Sequence, residues 1–501
     1  MHSEHSFQNH ERPSTPASLN ETLEPASFWH HLTRGVLRLP TTIRAELRKV
    51  GGFVRSVGLR VEESTLLQAT TDLEHRMAST RRPRSSIVKS ALAMAAISSS
   101  LVLGFMGSTA GAAIGTSAWS DVTPPEASPG YAASGLNSVS CPTRLTCFGV
   151  GEYENALGRD RPMGAKQLAG SWFKAVDISP PADAQSNPQA ALNSIDCPSA
   201  TTCWAVGSYV DQALHQQAMA VKFTAGSWRQ AIKVSVPADS AGTASLVSIA
   251  CPTSTTCIAV GSYRQTNTGT RAIFTTLQGG VWKQAKAARM PKDASSSFPS
   301  AFTSISCQGA SDCWAVGSYL NSRPATAPMG DHWQSGSLGR AIALPYPNDA
   351  FIVNTPPTLS SISCSRTGGC LAAGTYVDGP NTSQGFNDLL RSNLWSTNSR
   401  RMIMPADAKA DPALRSVQVA CAAKLQCVVS GNYVTTSPSF QTFFTDFHPG
   451  LWGVPTGIAS EMGFASVVFG IACHTATACT AVGGGDVIPF EQKATSINLT
   501  R

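Results

Sequence analysis

Fourteen cysteines fall into seven pairs, each with the spacing C-x5-C: Cys141/Cys147, Cys197/Cys203, Cys251/Cys257, Cys307/Cys313, Cys364/Cys370, Cys421/Cys427 and Cys473/Cys479. None is left over. The first member recurs every 52 to 57 residues, inside a segment that reads roughly L-x-S-I-x-C-x5-C-W-A-V-G-S-Y. Self-similarity at a fixed period means stacked units, none of which buries its apolar face alone. That outweighs the prior from length, since 501 residues would otherwise allow two to four separate domains.

Each unit reads as four short strands. In the second, LNSID (192–196) alternates as strand A and CPSATTC (197–203) reverses the chain. CWAVGSYV (203–210) is an apolar strand B, and QAMAVKFTA (217–225) alternates as strand C. A Gly226-Ser227 turn leads into strand D at Trp228. Strand B is apolar on both faces, which suits a sheet packed between two neighbours. Trp172, Trp228, Trp282, Trp333, Trp395 and Trp452 are each read as opening strand D, usually after a glycine turn. Position-specific indoles are expected to pack between sheets.

The two ends of the repeat are complementary. The seventh unit has strands A, B and C and then stops, while GTSAWSDVTPP (115–125), headed by Trp119, is a strand D with nothing before it. The N-terminal strand is therefore expected to complete the last sheet and remove the free edges. The fold class expected is all-β, a seven-bladed β-propeller over residues 113–501 assembled as 6 + (3 + 1). An open solenoid is the alternative, and it would need polar caps at both ends.

The cysteine pairs are expected to form short disulfides clamping the A-to-B reversal, each contributing about 2 kcal/mol. Metal binding is not expected: the spacing is not C-x2–4-C and no histidine accompanies each pair. No cofactor motif is found. Paired thiols also point to an oxidising compartment. A basic stretch, Arg81, Arg82, Arg84 and Lys89, precedes the mostly apolar run 91–107, and Ala110-Gly111-Ala112 follows. Residues 77–112 therefore read as a signal peptide or signal anchor, with a membrane contact only through 90–112 if uncleaved. Residues 1–76 share nothing with the repeat and read as a poorly structured extension; Met77 would serve as an alternative start. A secreted or cell-surface monomer is expected.

Charge excludes one class of partner. Residues 1–112 carry 13 basic against 9 acidic side chains and the rest 25 against 22, so the repeat is near neutral and gives no footprint for nucleic acid.

The repeat resembles the secreted bacterial propellers of the sialidase-like, or Asp-box-like, superfamily. FTAGSW (223–228) sits where an Asp-box would lie and keeps Gly226 and Trp228, without the aspartate or first serine. The chain is also similar to exported actinobacterial proteins with repeated SCPSxTTCxAVG segments. The arginine trio, tyrosine–glutamate pair and acid of sialidases are not carried over to positions of this sequence.

Strand parity puts the uniform A–B and C–D turns on one face and the long, variable B–C and D–A connections on the other. Variable loops on a rigid scaffold are where ligands are held. The candidates there are Glu154, Arg159, Asp160, Arg161, Asp211, His215, Arg264, Arg323, Asp378, Asp486 and Glu491. Asp486 and Glu491 would be a carboxylate pair for glycoside chemistry. The main expectation is a module that binds protein or glycan on this face without catalysis. The alternatives are a carbohydrate-active hydrolase or lyase, and an assembly factor for an exported complex.

Overall fold

The alternating segments form antiparallel strands throughout the repeat. The computed structural model describes residues 114–125 and 133–500, apart from positions 267, 296–298, 324, 335, 352–355, 367, 424, 438, 449–450, 460–465, 476 and 488–490, and apart from the side chains of residues 466, 486, 487, 491 and 492. The extension and the signal or anchor segment read from the sequence lie outside the described residues. Among the described residues no helix is long and apolar enough to cross a membrane. The transmembrane reading rested on 90–112, outside the described residues, and no described element supports it.

The first unit shows the pattern: Ser134–Thr143, Thr146–Glu154 and Asp160–Leu168 as strands A, B and C. Strand D is not continuous. It pairs at two points only, Ser171–Trp172 and Val176–Asp177, with unpaired residues between. Every unit repeats this break, which blunts the outer edge against pairing with another chain. Five sheets have five strands each. A sixth has ten, because strand C of the second unit bridges the extended strand A of the third at Gln216↔Thr243. This all-β set of similar sheets is consistent with a propeller-like fold.

The glycine before the tryptophan has a conformational reason. Both central residues of the C–D turn take positive φ, as at Ala225 (50°) and Gly226 (80°), the geometry of a tight type I′ hairpin. The fifth unit lacks the glycine, and Asn393 takes its place at φ 61°.

Trp333 departs from its expected role. It lies on strand C, opposite Leu338, and Leu338 holds the position that Trp228 holds in the second unit. The turn falls at Gly336 rather than Gly330, because QSGSL aligns with TAGSW. Trp333 is still buried in the core.

All seven disulfides are formed, with Cα–Cα distances of 3.9 to 4.0 Å. Cys307 and Cys313, for example, are direct partners across the A–B hairpin, which reverses in only two residues beyond them. The clamp on the A-to-B reversal lies deeper than the turn itself. The second member of each pair, Cys147, Cys203, Cys257, Cys313, Cys370, Cys427 or Cys479, lies within strand B and is buried. Each belongs to a different apolar cluster, beside Val139, Ile195, Ile249, Ile305, Ile362, Val419 and Ile497 respectively. The reason is register: the chain reverses after strand A has passed its cysteine, so both sulfurs fall on the paired strands rather than in the turn. These half-cystines therefore act as core residues as well as crosslinks, and they have no access to a ligand or a metal ion. Their worth exceeds the loop-closure contribution by the packing of the buried sulfur.

The N-terminal segment pairs with the C-terminal strand: Gly115↔Thr500 and Ser120↔Ser496. Trp119 joins the cluster of Val428, Phe444, Ala481 and Ile497.

Neighbouring units are joined by side-chain hydroxyls. Strand A of each unit contacts strand A of the next, and that of the seventh contacts that of the first. Ser138, Ser194, Ser248, Ser304 and Ser361, three residues before the first cysteine, each accept the backbone N–H of the next unit, at Ile195, Ile249, Ile305, Ile362 and Val419. A second series adds Ser140, Asp196, Ser306 and Ser363, which accept from the N–H of the next unit's cysteine. Each bond satisfies an inner-strand donor that has no sheet partner on that side. The S-I-x-C signature is thus a clasp between units.

Candidate functional site

Two cavities frame the site. The larger, about 950 Å³, is bounded by strand A of every unit and lined by hydroxyls and backbone. Its ionisable lining consists of Asp196, Arg366 and His474. Asp196 stands where the other units have serine or alanine, and burial pushes its carboxyl up to about 6 against the backbone N–H groups of Cys251 and Cys197. The smaller cavity, about 390 Å³, opens between strands C and D of the first two units.

Most sequence candidates lie on the B–C face, and the structure gives several of them a shared architectural task. The tyrosine ending each G-S-Y-type strand is buried, and its hydroxyl donates to an aspartate. The pairs are Tyr153–Asp177, Tyr209–Asp183, Tyr263–Asp239, Tyr319–Asp293, Tyr376–Asp349 and Tyr433–Asp407. Five of these aspartates come from a recurring P-x-D segment before strand A. In the second unit Lys233 reaches both Asp183 (3.1 Å) and Asp211 (3.4 Å). Asp211 is buried and accepts the N–H groups of Ala213 and His215 and the Gln217 amide, so it shapes the B–C turn. Asp378 does the same in the fifth unit through Thr382, with Arg401 3.6 Å away.

The remaining candidates are spread over the sheets. His215 is exposed, its ring against Gly242. Arg264 is exposed on strand B of the third unit, and Arg323 in the turn capped by Asn321. Asp486 and Glu491 lie on paired strands, but their side chains are outside the described residues. His215 shares its turn with Asp211, and Asp486 and Glu491 are one register step apart on paired strands of the seventh unit; Arg264, Arg323 and Asp378 stand in three other units.

Arg159, Asp160 and Arg161 do belong together. Arg159 closes the B–C turn of the first unit, its N–H on Asn155 Oδ1. Arg161 holds Asp177 with two bonds, 2.9 and 2.6 Å, on the face that carries Tyr153. Asp160 lies on the opposite face, with Glu152 and Glu154. Strand register makes Glu154 the direct partner of Asp160 and Pro162 the partner of Glu152. Glu152 and Asp160 are thus diagonal neighbours, roughly 7–8 Å apart at the backbone.

Attention to loops misses Glu152. It is the middle residue of G-E-Y, where the other units have Ser208, Ser262, Ser318, Thr375, Asn432 and Gly484. The substitution within the repeat is the signal that could have found it. Asn137 joins its side-chain amide both to Glu152 Oε2 and to the Leu192 carbonyl of the second unit, placing Glu152 at the seam between them. Burial pushes the Glu152 carboxyl up to about 7; the Asn137 hydrogen bond opposes this and the Asp160 charge adds to it. A carboxylic acid that keeps its proton near neutrality, beside an exposed carboxylate, is the arrangement acid–base chemistry needs. Among the described residues no group of three His, Cys, Asp or Glu side chains is placed to hold a metal ion.

No family model matches the sequence, and no curated protein matches it. Solved structures resemble it at low identity. A polysaccharide lyase aligns at 10% identity, TM-score 0.45, over 77% of this chain and 97% of its own. The β-propeller domain of the trilobed protease from Pyrococcus furiosus aligns at 8% identity, TM-score 0.41, over 73% and 95%. A Hadza microbial sialidase aligns at 6%, TM-score 0.40, over 68% and 73%. The chain is a disulfide-rich, all-β protein with weak likeness to propeller and sialidase-like folds, including several carbohydrate-active enzymes. The expectation of a module without catalysis is corrected at Glu152, a desolvated acid inside strand B that the loops do not reveal.

Proposed function

We propose that the seven units close into one seven-bladed propeller and that the protein is an exported carbohydrate-active hydrolase or lyase. Ring closure is supported by the contact of the seventh strand A with the first and by the pairing of residues 115–121 with the C-terminal strand. Export is supported by the seven disulfides and by the signal-like stretch 77–112; residues 113–501 form the functional domain. A saccharide would bind at the B–C end of the first seam.

One observation carries the catalytic reading: a desolvated acid, Glu152, stands where the repeat uses small neutral residues, diagonal to Asp160. In hydrolysis, Glu152 gives its proton to the departing glycosidic oxygen as the C–O bond breaks. Water adds to the sugar carbon and its proton passes to Asp160. The diagonal spacing is compatible with the roughly 5–10 Å that such carboxyl pairs span. Asn137 fixes one Glu152 oxygen and leaves the other to carry the proton. Activity should fall as pH rises through about 7, where Glu152 loses that proton.

The test is a polysaccharide cleavage screen on the full chain, followed by Glu152→Gln. Loss of kcat by about 100-fold or more supports the role of general acid. Cleavage unchanged in the variant, or a panel left wholly intact, would contradict it.

A further inference from the structure

The cavity at the C–D end of the first seam has no counterpart in the chemistry above. Phe148, Phe173, Phe223 and Trp228 line it, Phe148 and Phe223 from the buried core and Phe173 from the surface. The Phe148 and Phe223 rings lie 4.8 Å apart, and Phe223 meets Trp228 edge-on at 5.4 Å. The Trp228 indole packs directly on Gly164; a Cβ there would come within 2.4 Å of its Nε1. In four other units the strand D indole nitrogen, that of Trp119, Trp282, Trp395 or Trp452, is buried without a hydrogen-bond partner.

Phe173 is 56% exposed, on the residue after the strand D tryptophan. The other units place Arg229, Lys283, Gly339, Ser396, Gly453 and, for the seventh, Ser120 there. An aromatic ring at this position in one unit alone serves no repeat-wide packing task. Lys166 and Lys174 line the same groove, and both are exposed. Lys166 Nζ lies 5.8 Å from the Phe148 ring centroid. The one acid in the lining, Asp177, is already held by Arg161. With Phe148 and Phe223 buried beneath it, the groove offers one exposed aromatic face, that of Phe173, and an uncompensated positive charge.

We propose that this groove is a subsite for an acidic saccharide. A pyranose C–H face lies on the exposed ring of Phe173, and Lys166 and Lys174 hold its carboxylate or sulfate. The assignment rests on the carbohydrate reading given above and names the substrate class for it. A neutral or an apolar ligand would make no use of the two ammonium groups.

Binding by the full chain is measured by titration calorimetry against three kinds of probe: uronic acid tetramers, their methyl esters, and sulfated and unsulfated galactan tetramers. The free acids or the sulfated tetramer should bind at least tenfold more tightly than the neutral probes. Phe173→Ala and Lys166→Ala/Lys174→Ala should each weaken that binding at least tenfold, and added salt should weaken it further. All three side chains are solvent-exposed, so the variants should fold; thermal unfolding checks this. Equal affinity within both pairs (acid and ester, sulfated and unsulfated), binding unchanged in Phe173→Ala, or no binding by any acidic probe would overturn the assignment. Glu152→Gln separates the two readings. It should bind the acidic tetramers as the parent does, so lost turnover with intact binding concerns the active acid alone. Intact turnover with no preference for acidic probes concerns the groove alone.

Discussion

The seam between the first and second units and the seam between the seventh and first use the same strands to different ends. At the first, Ser138 and Ser140 clasp the neighbouring backbone, and the repeat is then broken by Glu152, Asp196 and Phe173. At the second, Gly470 and Ala472 stand in the clasp positions and offer no hydroxyl. The strands approach closely instead: a Cβ on Gly470 would lie 2.8 Å from Ser138 Cα. Bonds farther out compensate, with the Trp172 indole on Ser496 and the Ala494 N–H on Ser134. One seam departs from the repeat by adding chemistry, the other by removing bulk. A departure that adds an acid at a cost in desolvation is the one that asks for a function.

Predictions sharpen this contrast. The largest effect is expected from Trp119→Ala, which removes the indole that brings the N-terminal segment into the seventh unit; it should cost about 3 kcal/mol or more in chemical denaturation. A negligible loss would mean the ends are not mutually dependent. Next, restoring the repeat at the closing seam with Gly470→Ser should destabilise by about 1–3 kcal/mol, because backbone blocks the new side chain. Ser138→Ala at the other seam should cost only about 1 kcal/mol, the worth of one hydrogen bond. Were Gly470→Ser neutral, the closing seam would not be distinguished by close approach.

A third departure serves as a control without a proposed chemical role. Asp331 is buried, neither oxygen makes a hydrogen bond of ordinary length, and burial pushes its carboxyl up to about 7 against the nearby N–H groups of His332 and Gly339. The third and sixth units place Thr275 and Thr445 there, each donating to a strand D carbonyl. Below about pH 4 this acid is protonated whether the chain is folded or not. Between about 4 and 7 the unfolded chain releases the proton and the folded one keeps it, so stability falls as pH rises, and the loss is complete above 7. Asp331→Thr should therefore stabilise by roughly 1–3 kcal/mol at pH 8 and change little at pH 4. A gain of equal size at both would point to packing rather than charge.

The strands, the cystine pairs and the meeting of Trp119 with the last strand were legible because each depends on local pattern or on counting units. The depth of the cystines was less so: spacing reveals that Cys203 can meet Cys197, but not that the second sulfur sits among Ile195 and Val221 in the core. The clasp was not legible. A serine in strand A reads as ordinary alternation, and its partner lies some 55 residues on, so Ser138 and Ile195 show no relation in a linear reading. Trp333 was misplaced because GDHW imitates the glycine turn that QSGSL actually makes. Asp211 and Asp378 looked like loop ligands because polarity in a loop does not reveal that a carboxylate caps the turn it sits in. Glu152 was hidden inside a strand, where a charge is expected to be solvated rather than enclosed.

The proton on Glu152 is the point on which the functional account stands. Carbon-13 NMR of glutamate-labelled full chain, with Glu152→Gln to assign the resonance, reads its titration directly. A midpoint near 7 is the predicted result; a midpoint near the ordinary 4.5 would leave no acid to donate at neutral pH and would contradict the account.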